Sequence, residues 1–178
     1  GNIVLTNPDE TGTGSGSSLA GSVFISNTAD GSLSRFDYAT YRETGRWWTC
    51  PAMSSACDPS RTSVNTRGDA FVTNRGKGSP VYNSIARISN LGSLCPDTNG
   101  DGVITTWVSG KPLPWVKVNN VWKPTDDCIL WYKDLGAIGL EPMVRGVAAQ
   151  DITNQATGEL DEYVWVGSHD GDNAHGRP

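Results

Sequence analysis

Side-chain oxygens occur at alternate positions around two glycines in residues 97–104, whose sequence is DTNGDGVI. Asp97, Asn99 and Asp101 occupy the first, third and fifth positions of this segment. The glycine at the sixth position permits a sharp turn, and Val103 at the seventh offers a backbone carbonyl. Ca²⁺ takes about six to eight oxygen ligands, and alternate residues of a tight loop can converge on one such cation. The sequence therefore predicts a calcium-binding loop.

The predicted loop, which we place over residues 95–108, departs from the EF-hand pattern in its second half. Its twelfth position is Val108 instead of a bidentate Glu, and the residues before Val108 are expected to form a strand. The apolar residue Ile104 is expected to anchor the loop to the core. A further carboxylate would have to come from Asp126 or Asp127, and the sequence does not separate the two. The alternative is an Asp/Asn/Gly turn that binds no metal.

The chain has four cysteines, and their spacing does not match the closely paired cysteines of a zinc ribbon. We favour the sequential pairing, Cys50–Cys57 and Cys95–Cys128, because each bridge then closes its own loop and the second brings the acidic pair to the calcium loop. From loop-closure entropy, the bridge that closes the short loop is expected to stabilise the folded protein by roughly 2–3 kcal/mol and the bridge that closes the long loop by roughly 4 kcal/mol. Disulfides persist outside the cytoplasm, so we expect a secreted, cell-surface or periplasmic protein. Four reduced, buried thiols are the alternative.

Other residues that could do chemistry form weaker patterns. His169 and His175 flank an acidic segment that could hold a transition metal, although a solvated loop is the simpler interpretation. Arg61 and Arg145 are expected to occupy equivalent positions in two similar segments and could line a central channel for an anion, or each could pair with a nearby carboxylate. No nucleophile elbow, zinc-protease helix or phosphate-binding glycine loop occurs in the sequence. We therefore predict no catalytic residues and favour a function other than catalysis.

The composition limits the fold and the partners. Hydrophobic residues make up 37% of the chain and charged residues 19%, with 21 glycines and 10 prolines. This mixture is too apolar for a disordered chain, and its turn residues are too frequent for long helices. The net charge of −5 offers no basic stripe for nucleic acid. No apolar run approaches roughly 18 residues, so we expect no membrane span.

Short segments rich in β-branched and aromatic residues recur along the chain. Residues 22–27, 69–74 and 162–167 each resemble a strand and are followed by a polar turn with glycine. The first two lead to similar segments, 32–37 and 84–89, which alternate apolar and polar residues and place Arg before the last apolar residue. Each unit is therefore expected to be a set of antiparallel strands joined by tight turns.

The spacing of these units predicts the fold class. Phe24 and Phe71 are separated by a period in the forties, and Trp165 follows at twice that spacing. Such a period with four short strands is typical of a β-propeller blade. We expect an all-β single domain over residues 1–178 with about three blades, which could be part of a larger propeller, and with a disulfide-bounded calcium-loop insertion at 91–134. A β-sandwich is the alternative.

Two segments carry a resemblance to a known superfamily. Residues 59–64 (PSRTSV) and 68–76 (GDAFVTNRG) resemble blades of exported bacterial NHL/YncE-like and streptogramin-lyase-like propellers. The Cys95–Cys128 insertion, followed by Trp131, is similar to insertions in exported members. The resemblance implies a propeller fold and export. A lyase would require a histidine pair in a channel, and the sequence offers no counterpart, so the resemblance leaves function open.

These observations predict an extracytoplasmic, calcium-binding propeller module with a binding or structural role in a cell-surface or extracellular complex. Three units leave sheet edges open, so we expect a companion polypeptide or a homo-oligomer to complete or cover them. The second hypothesis is a metal-dependent lyase or lactonase-type enzyme. The third is a lectin with a stacking platform, although tryptophans in an insertion more often fill a core. The tryptophans concerned are Trp107, Trp115, Trp122 and Trp131.

Overall fold

A computed structural model describes residues 3–6, 21–76, 82–107, 110–136, 143–169 and 176–177. These residues form antiparallel strands and one 3₁₀ turn at Gly92–Leu94, with no α-helix among them, so the predicted all-β class is confirmed. The strands are β1 (Ile3–Thr6), β2 (Ser22–Asn27), β3 (Ser32–Asp37), β4 (Glu43–Trp48), β5 (Pro59–Val64), β6 (Ala70–Arg75), β7 (Asn83–Ile88), β8 (Trp115–Val118), β9 (Val121–Pro124), β10 (Ile129–Asp134), β11 (Met143–Thr153), β12 (Leu160–His169) and β13 (Gly176–Arg177).

The first sheet has the strand order β1-β2-β3-β4. The turn between β2 and β3 contains Gly31, with φ of +89°. A Cβ there would lie 1.8 Å from the backbone oxygen of Ser54, so only glycine fits this turn. One face of the sheet carries Phe24, Leu33 and Trp47, all buried in a core shared with the second sheet.

The second sheet has the order β10-β7-β6-β5 and is covered on both faces. Ala70 and Val72 point into the core shared with the first sheet, and Phe71 and Ile85 point into a second core shared with the third sheet. Burial on two faces explains why β6 is apolar at consecutive positions, instead of alternating as a half-exposed strand would.

The third sheet, β11-β12-β13, is dominated by the long β11–β12 hairpin. Both β5 and β11 contain a bulge near the start, with Ser60 unpaired in β5 and Arg145 unpaired in β11. The third residue pair after the bulge contains Phe71 of β6 in the second sheet and Trp165 of β12 in the third sheet. These two aromatic residues are therefore structurally equivalent. The same register aligns Arg145 with Ser60, so the predicted equivalence of Arg61 and Arg145 is wrong by one residue.

The insertion lies between β7 and β10 and contains residues 97–104, which we call the acidic loop, and the β8–β9 hairpin. Asn119 and Asn120 form the hairpin turn with φ of +50° and +63°, values that Asn tolerates and that a type I′ turn requires. The last six residues of the predicted 91–134 insertion form β10 and pair with β7.

Several predictions can be scored against this architecture. Both disulfides are confirmed, with Cα–Cα distances of 5.6 Å for Cys50–Cys57 and 4.7 Å for Cys95–Cys128. The strand predicted before Val108 is wrong, because residues 105–107 form no strand, and Val108 lies outside the described residues. The described sheets do not form a closed ring, and the propeller stays a prediction. Within the described ranges, no helix has the length and apolarity needed to cross a membrane.

Candidate functional site

Asp97 organises the acidic loop by accepting backbone N–H groups. Its Oδ1 accepts hydrogen bonds from the N–H of Gly100 at 2.7 Å and of Asp101 at 3.2 Å, and its Oδ2 accepts one from Gly102 at 2.7 Å. Gly100 and Gly102 have φ of +75° and +82°, which favour glycine. The glycines therefore let the backbone curl around the first carboxylate of the loop.

Asn99 and Asp101 repeat this arrangement further along the loop. The Oδ1 of Asn99 accepts the N–H of Asp101 at 3.0 Å, and the Oδ1 of Asp101 accepts the N–H of Val103 at 2.8 Å. The Nδ2 of Asn99 also donates to the Oδ2 of Asp101 at 3.0 Å. All three predicted ligand side chains thus fold back onto the loop, and the side chains of Asn99 and Asp101 are in contact.

The loop is not held by an apolar anchor. Ile104 is 39% exposed and Val103 is 61% exposed, so the prediction that Ile104 anchors the loop to the core is wrong. Cys95 lies just before the loop, is buried, and is bonded to Cys128. The disulfide and the carboxylate described next hold the loop against the protein.

Asp127 joins the two ends of the loop. Its Oδ1 accepts the N–H of Thr98 at 3.0 Å and the Thr98 hydroxyl, and its Oδ2 accepts the N–H of Thr105 at 2.7 Å. The carbonyl of Thr105 accepts the N–H of Asp127 at 2.8 Å in return. Burial raises the pKa of Asp127, but the hydrogen bonds from Thr98 and Thr105 outweigh it, and the pKa is lowered overall.

Asp126 has a different environment although it is the adjacent residue. Its Oδ1 accepts hydrogen bonds from the indole N–H of Trp47 at 3.2 Å, the Thr106 hydroxyl at 2.8 Å and the N–H of Cys128 at 2.9 Å. Its Oδ2 is buried with no hydrogen-bond partner among the described residues. Burial raises the pKa of Asp126, and these hydrogen bonds offset the rise only in part. Asp126 therefore belongs to the core around Trp47.

The structure groups the predicted ligands into three environments. Asp97, Asn99, Asp101 and Val103 form the loop, Asp127 lies at the loop ends, and Asp126 lies in the core. Across the described residues, no three His, Cys, Asp or Glu side chains come together as a metal centre would need. The loop itself offers two carboxylates, an amide oxygen and a carbonyl, which suit a hard cation. Calcium, and the role of Asp126 or Asp127 as a ligand, stay predictions.

The second predicted metal site, between His169 and His175, lies outside the described part of the structure. His175 lies outside the described residues, as does the side chain of His169. The hypothesis of a transition metal between them stays a prediction.

A cleft of about 520 Å³ borders the acidic loop. Thr98 and Asn99 of the loop form one side of it, and residues of the β8–β9 hairpin and of β10 form the others. Tyr132 of β10 lines the cleft, and burial raises its pKa to about 12, so its hydroxyl is neutral at physiological pH. Sequence patterns missed this cleft, because it depends on how the hairpin is placed against β10.

Two of the insertion tryptophans serve the cores. Trp115 is buried, packs edge-on against Tyr132 with 5.0 Å between ring centroids, and donates its indole N–H to the carbonyl of Trp48 at 3.3 Å. Trp131 packs against Phe71 with a centroid distance of 5.9 Å. These positions agree with the interpretation that tryptophans of the insertion fill a core.

Comparison with known proteins found no matching family model, no matching curated protein and no matching solved structure. The resemblance to NHL/YncE-like propellers therefore stays a prediction.

Proposed function

We propose that this chain is an extracytoplasmic, calcium-binding β-sheet module with a binding or assembly role. The observation that carries the proposal is the acidic loop, in which three oxygen-bearing side chains fold inward at alternate positions. The two disulfides support an extracytoplasmic location, because such bonds persist in oxidising compartments. The sheets supply a rigid framework, and the cation would fix the loop on its surface.

The proposed ligands are the side-chain oxygens of Asp97, Asn99 and Asp101 and the carbonyl of Val103, with water completing the coordination. Asp97 Oδ1 already accepts two N–H groups, but Asp97 Oδ2, Asn99 Oδ1 and both carboxylate oxygens of Asp101 accept one each and retain lone-pair capacity for a cation. A bound cation would also relieve the repulsion between two carboxylates in one short loop. Asp127 would act by holding Thr98 and Thr105 together, which keeps the loop closed.

The assembly role rests on the sheets. The described strands form a β1-β2-β3-β4 sheet and a β5-β6-β7-β10 sheet of the same antiparallel design, followed by the β11-β12-β13 sheet. We propose that they are successive propeller blades, and that a companion polypeptide or a second copy covers what they leave open. The lyase or lactonase and lectin hypotheses stay predictions.

Isothermal titration calorimetry of chelator-stripped protein with CaCl₂ tests the metal proposal. We expect one site, and a loss of affinity of at least roughly tenfold in Asp97→Asn and in Asp101→Asn, because each removes a ligand charge at nearly constant shape. Glu159→Gln, an exposed acidic position in the β11–β12 turn, is the matched control and should bind like the wild type. Absence of calcium binding at millimolar concentrations would contradict the proposal.

A further inference from the structure

Three aromatic residues occupy equivalent places in the second strands of successive sheets, but only two are buried. Phe24 of β2 is 0% exposed and Phe71 of β6 is 1% exposed, whereas Trp165 of β12 is 62% exposed. Phe24 and Phe71 each pair with an arginine on the following strand, Arg35 and Arg87. Phe24 and Phe71 are therefore covered by packing neighbours. Trp165 has no such cover among the described residues.

The cover in each buried case is the next sheet along the chain. Phe24 lies in one core with Ala70 and Val72 of β6. Phe71 lies in the other core with Val164 and Val166 of β12. The residues that flank one sheet's aromatic thus point back to cover the aromatic of the preceding sheet. The same packing is used twice.

The arginines also reach the next sheet. Arg35 donates through its guanidinium to the carbonyl of Asn90, beyond β7. Arg87 donates to Glu162 of β12 at 3.1 Å and to Asp69 at 2.6 Å. Each buried aromatic is therefore accompanied by a polar link between neighbouring sheets, which fixes the orientation of the contact.

Trp165 lies on an exposed side of the β11–β12 hairpin. Ala148 lies directly opposite Trp165 on β11, and Gln150 accepts the indole N–H of Trp165 at 3.0 Å. Tyr163 is 46% exposed and Ile152 is 45% exposed, and their positions in the β11–β12 register place them on the same side of the hairpin. We call these residues the Trp165 face. Gln150 lies opposite Tyr163 and Asp161 lies opposite Ile152, so polar side chains are interspersed on this side of the hairpin. Exposed aromatic and aliphatic side chains grouped in this way are typical of an interaction site.

The same chain carries a matching face. Val23 and Ile25 flank Phe24 in β2 and point to the opposite side of the first sheet, because side chains alternate along a strand. They correspond to Ala70 and Val72, which flank Phe71 in β6. Both are only partly buried, and among the described residues they belong to neither core.

We infer that the Trp165 face of one molecule docks on the Val23–Ile25 face of a second copy, and so repeats the packing between successive sheets. The inference rests on the assembly role proposed above and specifies its surface and partner. Because the two faces differ, the contact is heterologous, and each molecule carries both halves of it. Trp165 supplies the large aromatic and the Val23–Ile25 face supplies the short aliphatic cover.

Sedimentation velocity across a concentration series, with either calcium or chelator present, tests this contact. We expect the wild type to self-associate, and Trp165→Arg and Ile25→Arg each to weaken association by roughly thirtyfold or more, as for an aromatic hot spot. Val121→Arg, an exposed aliphatic change in the β8–β9 hairpin, is the matched control and should associate like the wild type. Circular dichroism confirms folding, and Val23→Arg replaces Ile25→Arg if the latter unfolds.

Mixing the two arginine variants separates a heterologous contact from a symmetric one. At a concentration where the wild type associates and each weakened variant alone is monomeric, an equimolar mixture of the two variants should form a one-to-one dimer through the two intact faces. A monomeric wild type at high concentration, or a mixture that stays monomeric while the wild type associates, would overturn the inference. Calcium binding by a monomeric wild type would leave the metal proposal standing, and association without calcium binding would leave this inference standing.

Discussion

The second sheet and the acidic loop lie a few residues apart in sequence but are stabilised by different interactions. In the second sheet, Phe71 and Ile85 lie on one face, Val72 on the other, and all are buried. In the loop, Val103 is largely exposed, and the contacts are hydrogen bonds to carboxylates. The sheet depends on apolar burial, which pH and cations barely affect. The loop depends on a disulfide, on ionised groups and, in our proposal, on Ca²⁺.

Truncating the sheet should produce the largest effect. We expect Phe71→Ala to lower the free energy of unfolding by about 3–5 kcal/mol, because it leaves a cavity between two sheets. Urea denaturation measures the loss, which should be equal in calcium and in chelator. Trp165→Ala, at the equivalent exposed place, is the control and should cost within about 0.5 kcal/mol at concentrations where the protein is monomeric. Equal losses in the two variants would contradict the difference in packing.

Removing the long disulfide should have the next largest effect. The double change of Cys95 and Cys128 to Ala should cost about 4 kcal/mol by loop entropy, against about 2–3 kcal/mol for the same change at Cys50 and Cys57. Denaturation of both double variants measures the difference, and only the first should also weaken calcium binding. Equal calcium affinities in the two double variants would show that the bridge does not support the loop.

Asp127→Asn should destabilise the protein by about 1–3 kcal/mol at neutral pH, because an ionised acceptor of several hydrogen bonds is lost. The pKa of Asp127 is lowered in the folded state, so its contribution exists above the ordinary carboxyl pKa and is lost as the pH falls through the lowered value. Denaturation of the variant and the wild type should therefore converge at acid pH. A difference that is constant with pH would contradict an ionised Asp127.

Asp126→Asn should give the smallest effect and the opposite pH dependence. The pKa of Asp126 is raised by burial, so its contribution to stability is present at low pH and is lost as the pH rises through the raised value. The variant should thus gain stability relative to the wild type with increasing pH. The same denaturation series measures this trend. A trend parallel to that of Asp127→Asn would show that the two carboxyl groups share one environment.

Local patterns made much of the fold predictable. Residues 22–27 and 32–37 form strands at the predicted bounds, because β-branched and aromatic residues between turn signals favour extended backbone on their own. The disulfides followed because each closes a loop within its own segment. These features depend on residues near each other in sequence.

Features that depend on distant contacts were not predictable. Asp126 and Asp127 are adjacent acids, and their environments differ because one meets Trp47 of the first sheet and the other meets Thr98 and Thr105. Likewise, the similarity of Phe71 and Trp165 in the repeated segments gave no sign that one is buried and the other exposed. Burial is decided by which sheet packs on which, and a strand pattern does not encode that.

Amide hydrogen exchange tests the central claim most directly, since it reports on the loop and the sheet in the same protein. On adding Ca²⁺ to chelator-stripped protein, we expect slower exchange at the N–H groups of Gly100, Asp101 and Gly102, and no change at Phe71 or Ile85 in the second sheet. The same experiment on Asp97→Asn should show no slowing in the loop. Unchanged exchange in the wild-type loop at millimolar calcium would contradict the account.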